Sequence, residues 1–256
     1  MLKCVVLAAG RGRRFGERPN GKPLCRVHSR ALIDWVILSA RQAGLQDFVV
    51  VTGYGREALE RHLRALARQL HIHVTFARNE EWELENGISA SCAQPSVGDR
   101  FVLLMGDHVF DPEILVGLTA QPLAAGDLVL AADFNVRHHP NVDLDDVTKI
   151  LAEDGRISRI GKALDAYNAF DTGIFLCTSA LFEALAESRR LGDASLTGGV
   201  RVLAARGRAR VVDVAGRYWV DVDDEDARAR AERVLAGAAL DVNEHTGTAT
   251  EVGLGR

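Results

Sequence analysis

Cysteine is sparse in this chain, and its four copies, Cys4, Cys25, Cys92 and Cys177, form neither a CxxC pair nor a disulfide-like framework. Thiols scattered in apolar or small-residue surroundings read as buried and free, which fits a reducing compartment. Long apolar runs are also missing, and none approaches the roughly 20 residues that a bilayer-spanning helix needs. The opening residues Met1 to Leu7 run straight into an apolar strand, leaving no room for the apolar region and cleavage site of a signal peptide. A soluble, cytoplasmic protein with no membrane segment is expected. Nor is there an excess of positive charge: 31 Lys and Arg stand against 35 Asp and Glu, a net charge of −4, mixed along the chain. That balance excludes a polybasic face for nucleic acid or anionic lipid. An anionic ligand would have to be met by a few placed side chains. No internal repeat or low-complexity block is present.

What is present is enough material for a full core: 256 residues, 47% of them hydrophobic. Apolar runs alternate with amphipathic stretches. Strands are expected at Val5–Ala9, Phe48–Thr52, His73–Phe76, Phe101–Met105 and Leu128–Asp133. Helices are expected at Ala31–Gly44, Glu57–Leu70, Ile88–Ala93 and Pro112–Thr119. This βαβα order predicts a three-layer αβα sandwich around a mostly parallel central sheet. After residue 134 the pattern changes. Lys149–Glu153 and Arg156–Gly161 flank Asp154-Gly155, a hairpin signal read as a small β-hairpin substrate subdomain. A strand at Gly173–Cys177, helices at Ala180–Glu187 and Gly198–Ala205, a strand at Arg210–Val214 and a helix at Glu225–Leu235 follow. The folded domain is placed at 1–238, with 239–256 a polar tail or linker.

Three segments carry chemistry. The first is the turn after the first strand, Leu7-Ala8-Ala9-Gly10-Arg11-Gly12-Arg13-Arg14, continuing to Lys22-Pro23-Leu24. Small residues there allow close backbone approach, so that amides can surround phosphate oxygens, and Arg11, Arg13, Arg14 and Lys22 supply the cations that the chain otherwise lacks. A dinucleotide fingerprint is only half present, because Phe15 stands where its third glycine is required. A Walker A loop fails as well, since Pro23 replaces the metal-binding hydroxyl. The second segment is Gly106-Asp107, beyond the carboxyl end of an apolar strand, where ligands of open α/β sheets bind and where a carboxylate can hold a metal. His108 beside it is read as structural. The third is Trp219-Val220-Asp221-Val222-Asp223-Asp224. Alternation sets Asp221 and Asp223 on one face, Asp224 is placed to cap the next helix, and no role is assigned to Asp223.

Together these segments resemble the nucleotidyltransferase superfamily of MobA-like, sugar-nucleotide and alcohol-phosphate NTP transferases, with its Rossmann-like fold. The signature of that superfamily, LAAGxGxR, KPL, a strand-end Asp and a late WxD, appears here in order as Leu7–Arg14, Lys22–Leu24, Asp107 and Trp219–Asp221. Within it, Glu85 to Ser89, Met105 to His108, Thr148-Lys149 and Asp171 to Phe175 resemble the CTP:inositol-1-phosphate cytidylyltransferases. That group makes CDP-inositol for phospholipid synthesis and is often fused to a membrane phosphatidyltransferase-type domain.

The resemblance implies roles by position. Leu7, Ala8, Ala9 and Gly10 would line the nucleoside pocket. Arg11, Gly12, Arg13 and Arg14 would meet the phosphates, with Lys22, Arg14 and Asp107 at the reacting centre. Gly87 and Ser89 would touch base or ribose, and Asp107 and Asp221 would hold Mg²⁺. Thr172 and Gly173 would face the acceptor alcohol, and Lys149 or Lys162 its phosphate. The expected partners are CTP and a small phosphorylated alcohol, with a membrane phosphatidyltransferase and a second copy of the chain as further candidates. Phosphocholine, phosphonate or sugar-1-phosphate transfer are the alternatives. A non-catalytic nucleotide-binding module is disfavoured because Lys22, Asp107 and Asp221 are all retained.

Overall fold

In the computed structural model, which describes residues 2–12, 14, 20–137 and 142–246, the first apolar run forms a strand buried on both faces. The elements in order are β1 (Lys3–Ala8), a 3₁₀ turn (Lys22–Leu24), β2 (Arg26–Val27), β3 (Arg30–Ala31), α1 (Leu32–Gln42), β4 (Asp47–Thr52), α2 (Arg56–Leu70), β5 (His73–Arg78) and α3 (Asn86–Cys92). Then come β6 (Arg100–Met105), β7 (His108–Phe110), α4 (Pro112–Thr119), β8 (Leu128–Asp133), β9 (Lys149–Glu153), β10 (Arg156–Gly161) and β11 (Ala169–Thr178). The chain continues through α5 (Ala180–Arg190), α6 (Leu196–Ala205), β12 (Ala209–Asp213), β13 (Trp219–Asp221) and α7 (Glu225–Thr246).

Nine strands form one sheet in the order β5-β4-β1-β6-β11-β8-β12-β10-β9. β5, β4, β1 and β6 run parallel, and β8 and β12 run parallel to each other. β11 is inserted antiparallel between β6 and β8. The sheet is therefore mixed, with the same strand direction resumed on either side of β11. The β9–β10 hairpin forms at the expected residues. It is continuous with this sheet, pairing with β12 through Arg156 and Arg210 and with β11 through Ile150 and Ala169.

Helices cover both faces, which is why β1, β4, β6 and β8 read as unbroken apolar runs with no polar-out alternation. On one face Val6, Val50, Leu104 and Ile174 pack against Ile33 and Ile37 of α1, Leu59 and Leu63 of α2 and Leu115 of α4. On the other, Val5, Val49, Leu103 and Phe175 pack against Ala90 of α3, Leu181 and Leu185 of α5 and Val200 of α6. Side chains such as Phe48, Phe101 and Phe175 are essentially fully buried, and each contributes about 1.5–3 kcal/mol from apolar burial. The three-layer αβα sandwich is thus realised.

A smaller apolar cluster, including Cys25, Val27, Leu32, Val109, Val220 and Val222, binds the β2–β3 hairpin, the β7–β13 ribbon and α7 together beyond the strand ends. The helix α7 extends through Thr246, past the boundary expected at residue 238. Residues 247–256 lie outside the described residues.

Candidate active site

The carboxyl ends of β1, β4 and β6 open onto one edge, where the turn after β1, the Gly53-Tyr54 turn and the Gly106-Asp107 turn meet. Gly106 N–H donates to the Leu7 carbonyl at 2.9 Å, and Tyr54 N–H donates to the Ala9 carbonyl at 2.9 Å. The approach is close enough to require glycine: a Cβ on Gly106 would stand 2.6 Å from the Leu7 oxygen. Leu7, Ala8 and Ala9 are buried, and Gly10 is exposed. Arg11 lies over the Tyr54 ring at 5.4 Å, and Tyr54 in turn packs on Trp82. Arg13 lies outside the described residues.

Gly12 has φ +69°, and a Cβ there would press into Lys22, 2.8 Å from its Cδ. The KPL turn points Lys22 inward, leaving its side chain 5% exposed. The ammonium donates to Asp107 Oδ2 at 2.7 Å, pairs with Asp223 and stands 3.8 Å from Asp221 Oδ1. Burial alone would lower the Lys22 pKa. The carboxylates of Asp107, Asp221 and Asp223 outweigh it and raise the pKa above the ordinary lysine value.

Two aspartates 114 positions apart in the chain meet because of strand register. β13 pairs antiparallel with β7, setting Asp221 opposite His108, and Val222 N–H donates to the Asp107 carbonyl at 3.0 Å. Trp219 fixes this ribbon: its ring is buried, and its Nε1–H donates to Asp133 Oδ2 at the end of β8, 2.8 Å away. The two carboxylates respond oppositely to one environment. Burial raises Asp107, but Lys22 and His108 bring it below the usual carboxylate range. Burial and the repulsion of Asp107 push Asp221 above that range, against the pull of His108 and Lys22.

His108, read as structural from sequence, belongs to the cluster. Its Nδ1 is 2.7 Å from the Thr172 carbonyl, and its Nε2 faces Asp221 at 3.5 Å and Asp107 at 3.7 Å. Burial opposes its charge, yet Asp221 and Asp107 raise its pKa to about 10.

Carboxylate and imidazole atoms of Asp107, His108 and Asp221, and carboxylate oxygens of Asp146, Asp221 and Asp223, form two overlapping groups, each with its atoms within 4.8 Å of one another. Oδ1 of Asp221 is buried and has no hydrogen-bond partner. Anionic oxygens, one of them an orphaned buried acceptor, with an ammonium as counter-ion, are the donor set of a hard divalent cation. The residues present fit such an ion.

A cavity of about 380 Å³ opens beside this cluster, lined in part by Arg14, Asp107, Asp171, Gly173 and Lys162. Arg14 bridges Asp146, at 2.7 Å, and Asp223, so Asp223 acquires a place as a shared partner of Lys22 and Arg14. Lys162 Nζ lies 2.5 Å from Asp146 Oδ1. Nothing in the sequence motifs marked Asp146, which arrives on the loop preceding β9.

Other expected positions fall elsewhere. Thr172 is fully buried, and its hydroxyl donates to the Ala131 carbonyl at 2.7 Å. It points away from the cavity because Asp171 and Gly173, its neighbours on β11, take the cavity side. Lys149 does not line the cavity, and its ammonium lies over the Tyr167 ring at 5.4 Å. Gly87 makes room for backbone: a Cβ there would stand 2.8 Å from the Ser195 carbonyl carbon. Ser89 is buried and accepts from the Asn79 amide at 2.9 Å.

A glycine turn, a buried lysine and facing carboxylates beyond the ends of parallel strands define a nucleotidyltransferase of the three-layer α/β type. Residues 4–190 match the MobA-like NTP transferase domain, and the chain belongs to that family. Over 247 residues it is 34% identical to the bifunctional IPC transferase and DIPP synthase of Rubrobacter xylanophilus, covering 92% of this chain and 52% of that protein. With the protein of the same name from Archaeoglobus fulgidus it shares 32% identity over 242 residues, 94% of this chain and 45% of that one. The chain thus spans about half the length of the curated relatives it matches. Among solved structures it resembles the inositol-1-phosphate CTP transferase from T. maritima, with a TM-score of 0.80 and 26% identity over 92% of this chain and 95% of that one. Among the described residues no helix is long and apolar enough to cross a membrane.

Proposed function

We propose that this protein transfers a cytidylyl group from CTP to inositol 1-phosphate, releasing pyrophosphate and forming CDP-inositol. The observation that carries the reading is the convergence of Lys22, Asp107 and Asp221 on one point beyond β1 and β6. Support for the substrates comes from the IPC transferases and the inositol-1-phosphate CTP transferase that the chain resembles.

The acceptor phosphate is itself the nucleophile. Its second pKa is near 6, so it is dianionic at neutral pH and needs no general base. One of its oxygens bonds to the α-phosphorus as the bond from that phosphorus to the β-phosphate oxygen breaks, and pyrophosphate leaves with the electron pair. Two polyanions must therefore be brought together. Asp107 and Asp221 would hold a Mg²⁺ ion, which would supply Lewis-acid charge neutralisation. Lys22 turns from its carboxylate partners to the α-phosphate, and Gly12, Arg13 and Arg14 receive the departing phosphates. Backbone groups of Leu7 to Gly10, with Gly87 and Ser89 nearby, read the nucleoside. Lys162 and Gly173 meet the acceptor.

The setting is cytoplasmic, in keeping with four cysteines that form no disulfide. In this reading the product would pass to a membrane phosphatidyltransferase. The test is a matrix of four NTPs against inositol 1-phosphate, phosphocholine, an aminoalkylphosphonate and hexose 1-phosphates, with Mg²⁺, read as pyrophosphate. CTP with inositol 1-phosphate is expected to dominate. Preference for a hexose phosphate overturns the substrate assignment.

A further inference from the structure

Arg230 lies in the wall of the same cavity, one turn beyond Ala227 on the same face of α7. The start of α7 is held firmly. Asp224 caps it by accepting from Ala227 N–H at 2.7 Å, and His28 on the β2–β3 hairpin is tied by its backbone N–H, at 3.0 Å, to Glu232 farther along the helix. The other cations that line the cavity are all engaged: Arg14 with Asp146 and Asp223, Lys162 with Asp146, and His108 with Asp221. Arg230 has no hydrogen bond or ion pair among the described residues, although Asp143, Asp223 and Asp224 line the same cavity. Its Nε–H is buried without a partner. A buried donor left unmatched costs free energy that a native structure ordinarily avoids, and a guanidinium matches phosphate oxygens in a way that a solvated ammonium does not.

We propose that Arg230 binds the phosphate of the acceptor and so is a specificity-determining residue for phosphorylated over free alcohols. This rests on the transfer reaction proposed above. The acceptor is favoured over the triphosphate because Arg230 shares the cavity wall with Lys162 just after β10, Gly173 of β11 and Thr197 at the start of α6, while of the turn after β1 Arg14 reaches the cavity but Gly10 to Gly12 do not line it.

The experiment compares wild type, Arg230→Ala, Arg230→Lys and, as control, Arg228→Ala, whose guanidinium pairs with Glu225 and Glu232 outside the cavity. With CTP and Mg²⁺, Arg230→Ala is expected to raise KM for inositol 1-phosphate at least about tenfold, the scale of a lost charge-assisted contact, with KM for CTP within about twofold. Arg230→Lys recovers part of the loss, and Arg228→Ala behaves as wild type. An unchanged acceptor KM overturns the proposal, and so does a rise confined to CTP or shared equally by both substrates. Calorimetric binding of inorganic phosphate, at least about tenfold weaker in Arg230→Ala than in wild type, gives a reading independent of turnover. Equal phosphate affinity in the two proteins sinks the assignment. A wild-type enzyme idle with inositol 1-phosphate but weakened in phosphate binding by Arg230→Ala fails the substrate reading and leaves the phosphate contact standing.

Discussion

The Lys22 ammonium, nearly sealed from solvent, donates to Asp107 Oδ2 at 2.7 Å across 85 positions of sequence. It is the counter-ion of a carboxylate cluster whose charge a divalent cation would also neutralise.

Removing it should therefore expose the cluster's repulsion. Breaking a fully buried pair costs about 3–5 kcal/mol; here the carboxylate partners stay partly exposed, so about 2 kcal/mol is expected for Lys22→Met in chelator. Millimolar Mg²⁺ should restore much of the loss by binding the freed carboxylates. Thermal melts with EDTA and with Mg²⁺ measure both effects. Equal stability of variant and wild type in EDTA contradicts the counter-ion role.

The two aspartates proposed to hold the metal, Asp107 and Asp221, should separate function from stability. Asp107→Asn and Asp221→Asn are each expected to lower turnover at least about a hundredfold. In metal-free buffer at pH 7 their stabilities should move in opposite directions. Asp107 is stabilised as the anion by Lys22, so its amide variant loses stability. Asp221 is disfavoured as the anion by burial and by Asp107, so its amide variant is as stable as wild type or more so. Denaturant titrations of the pair decide this, and parallel destabilisation would refute the assignment.

Gly12 and Gly10 offer a contrast inside one turn. A methyl on Gly12 meets the Lys22 side chain and sits at φ +69°, whereas a methyl on Gly10 meets nothing within 4 Å. Gly12→Ala should cost about 1–3 kcal/mol through strain and displace Lys22, lowering turnover at least about tenfold. Gly10→Ala should leave the melting temperature near that of wild type. Equal melts for the two variants would mean that the turn is free to adapt.

Local signals were legible where a run of residues carries its own instructions. Pro112–Thr119, Leu128–Asp133 and the hairpin strands Lys149–Glu153 and Arg156–Gly161 have the ends that the sequence predicts. Lys22, Asp107 and Asp221 stood out because each adjoins a recognisable strand end or turn. Asp146 and Arg230 did not, since each reaches the cavity through tertiary placement and belongs to no motif. The part played by His108 depends on the β7–β13 register, which pairs residues more than a hundred positions apart. The direction of Thr172 was misjudged for a related reason. Alternation fixes that Asp171 and Gly173 share a side, but only the neighbouring strands decide which side is the cavity.

That correction is itself testable. The Thr172 hydroxyl satisfies the Ala131 carbonyl at 2.7 Å in the core, so Thr172→Val should cost about 1 kcal/mol of stability, the net worth of a buried hydrogen bond. KM for the acceptor should not change. An acceptor KM several-fold higher, with stability unaltered, would restore Thr172 to the substrate pocket.

A last prediction concerns pH, away from the active site. His62 on α2 lies 2.6 Å through Nε2 from Asp34 Oδ1 on α1, joining two helices of one layer. The hydrogen bond to Asp34 raises the His62 pKa, against a smaller lowering by burial, above its ordinary value of 6.5. Because the folded value exceeds the unfolded one, the stabilisation is fully present below about pH 6.5 and is lost as pH rises through the folded value. Wild type minus His62→Gln should therefore show a larger stability difference at pH 5.5 than at pH 9. Half-exposure of the imidazole and screening by salt keep that difference small, so it should shrink further in 1 M NaCl. Urea titrations at the two pH values measure it, and a difference that grows toward alkaline pH would reverse the sign required by a histidine charged by its partner.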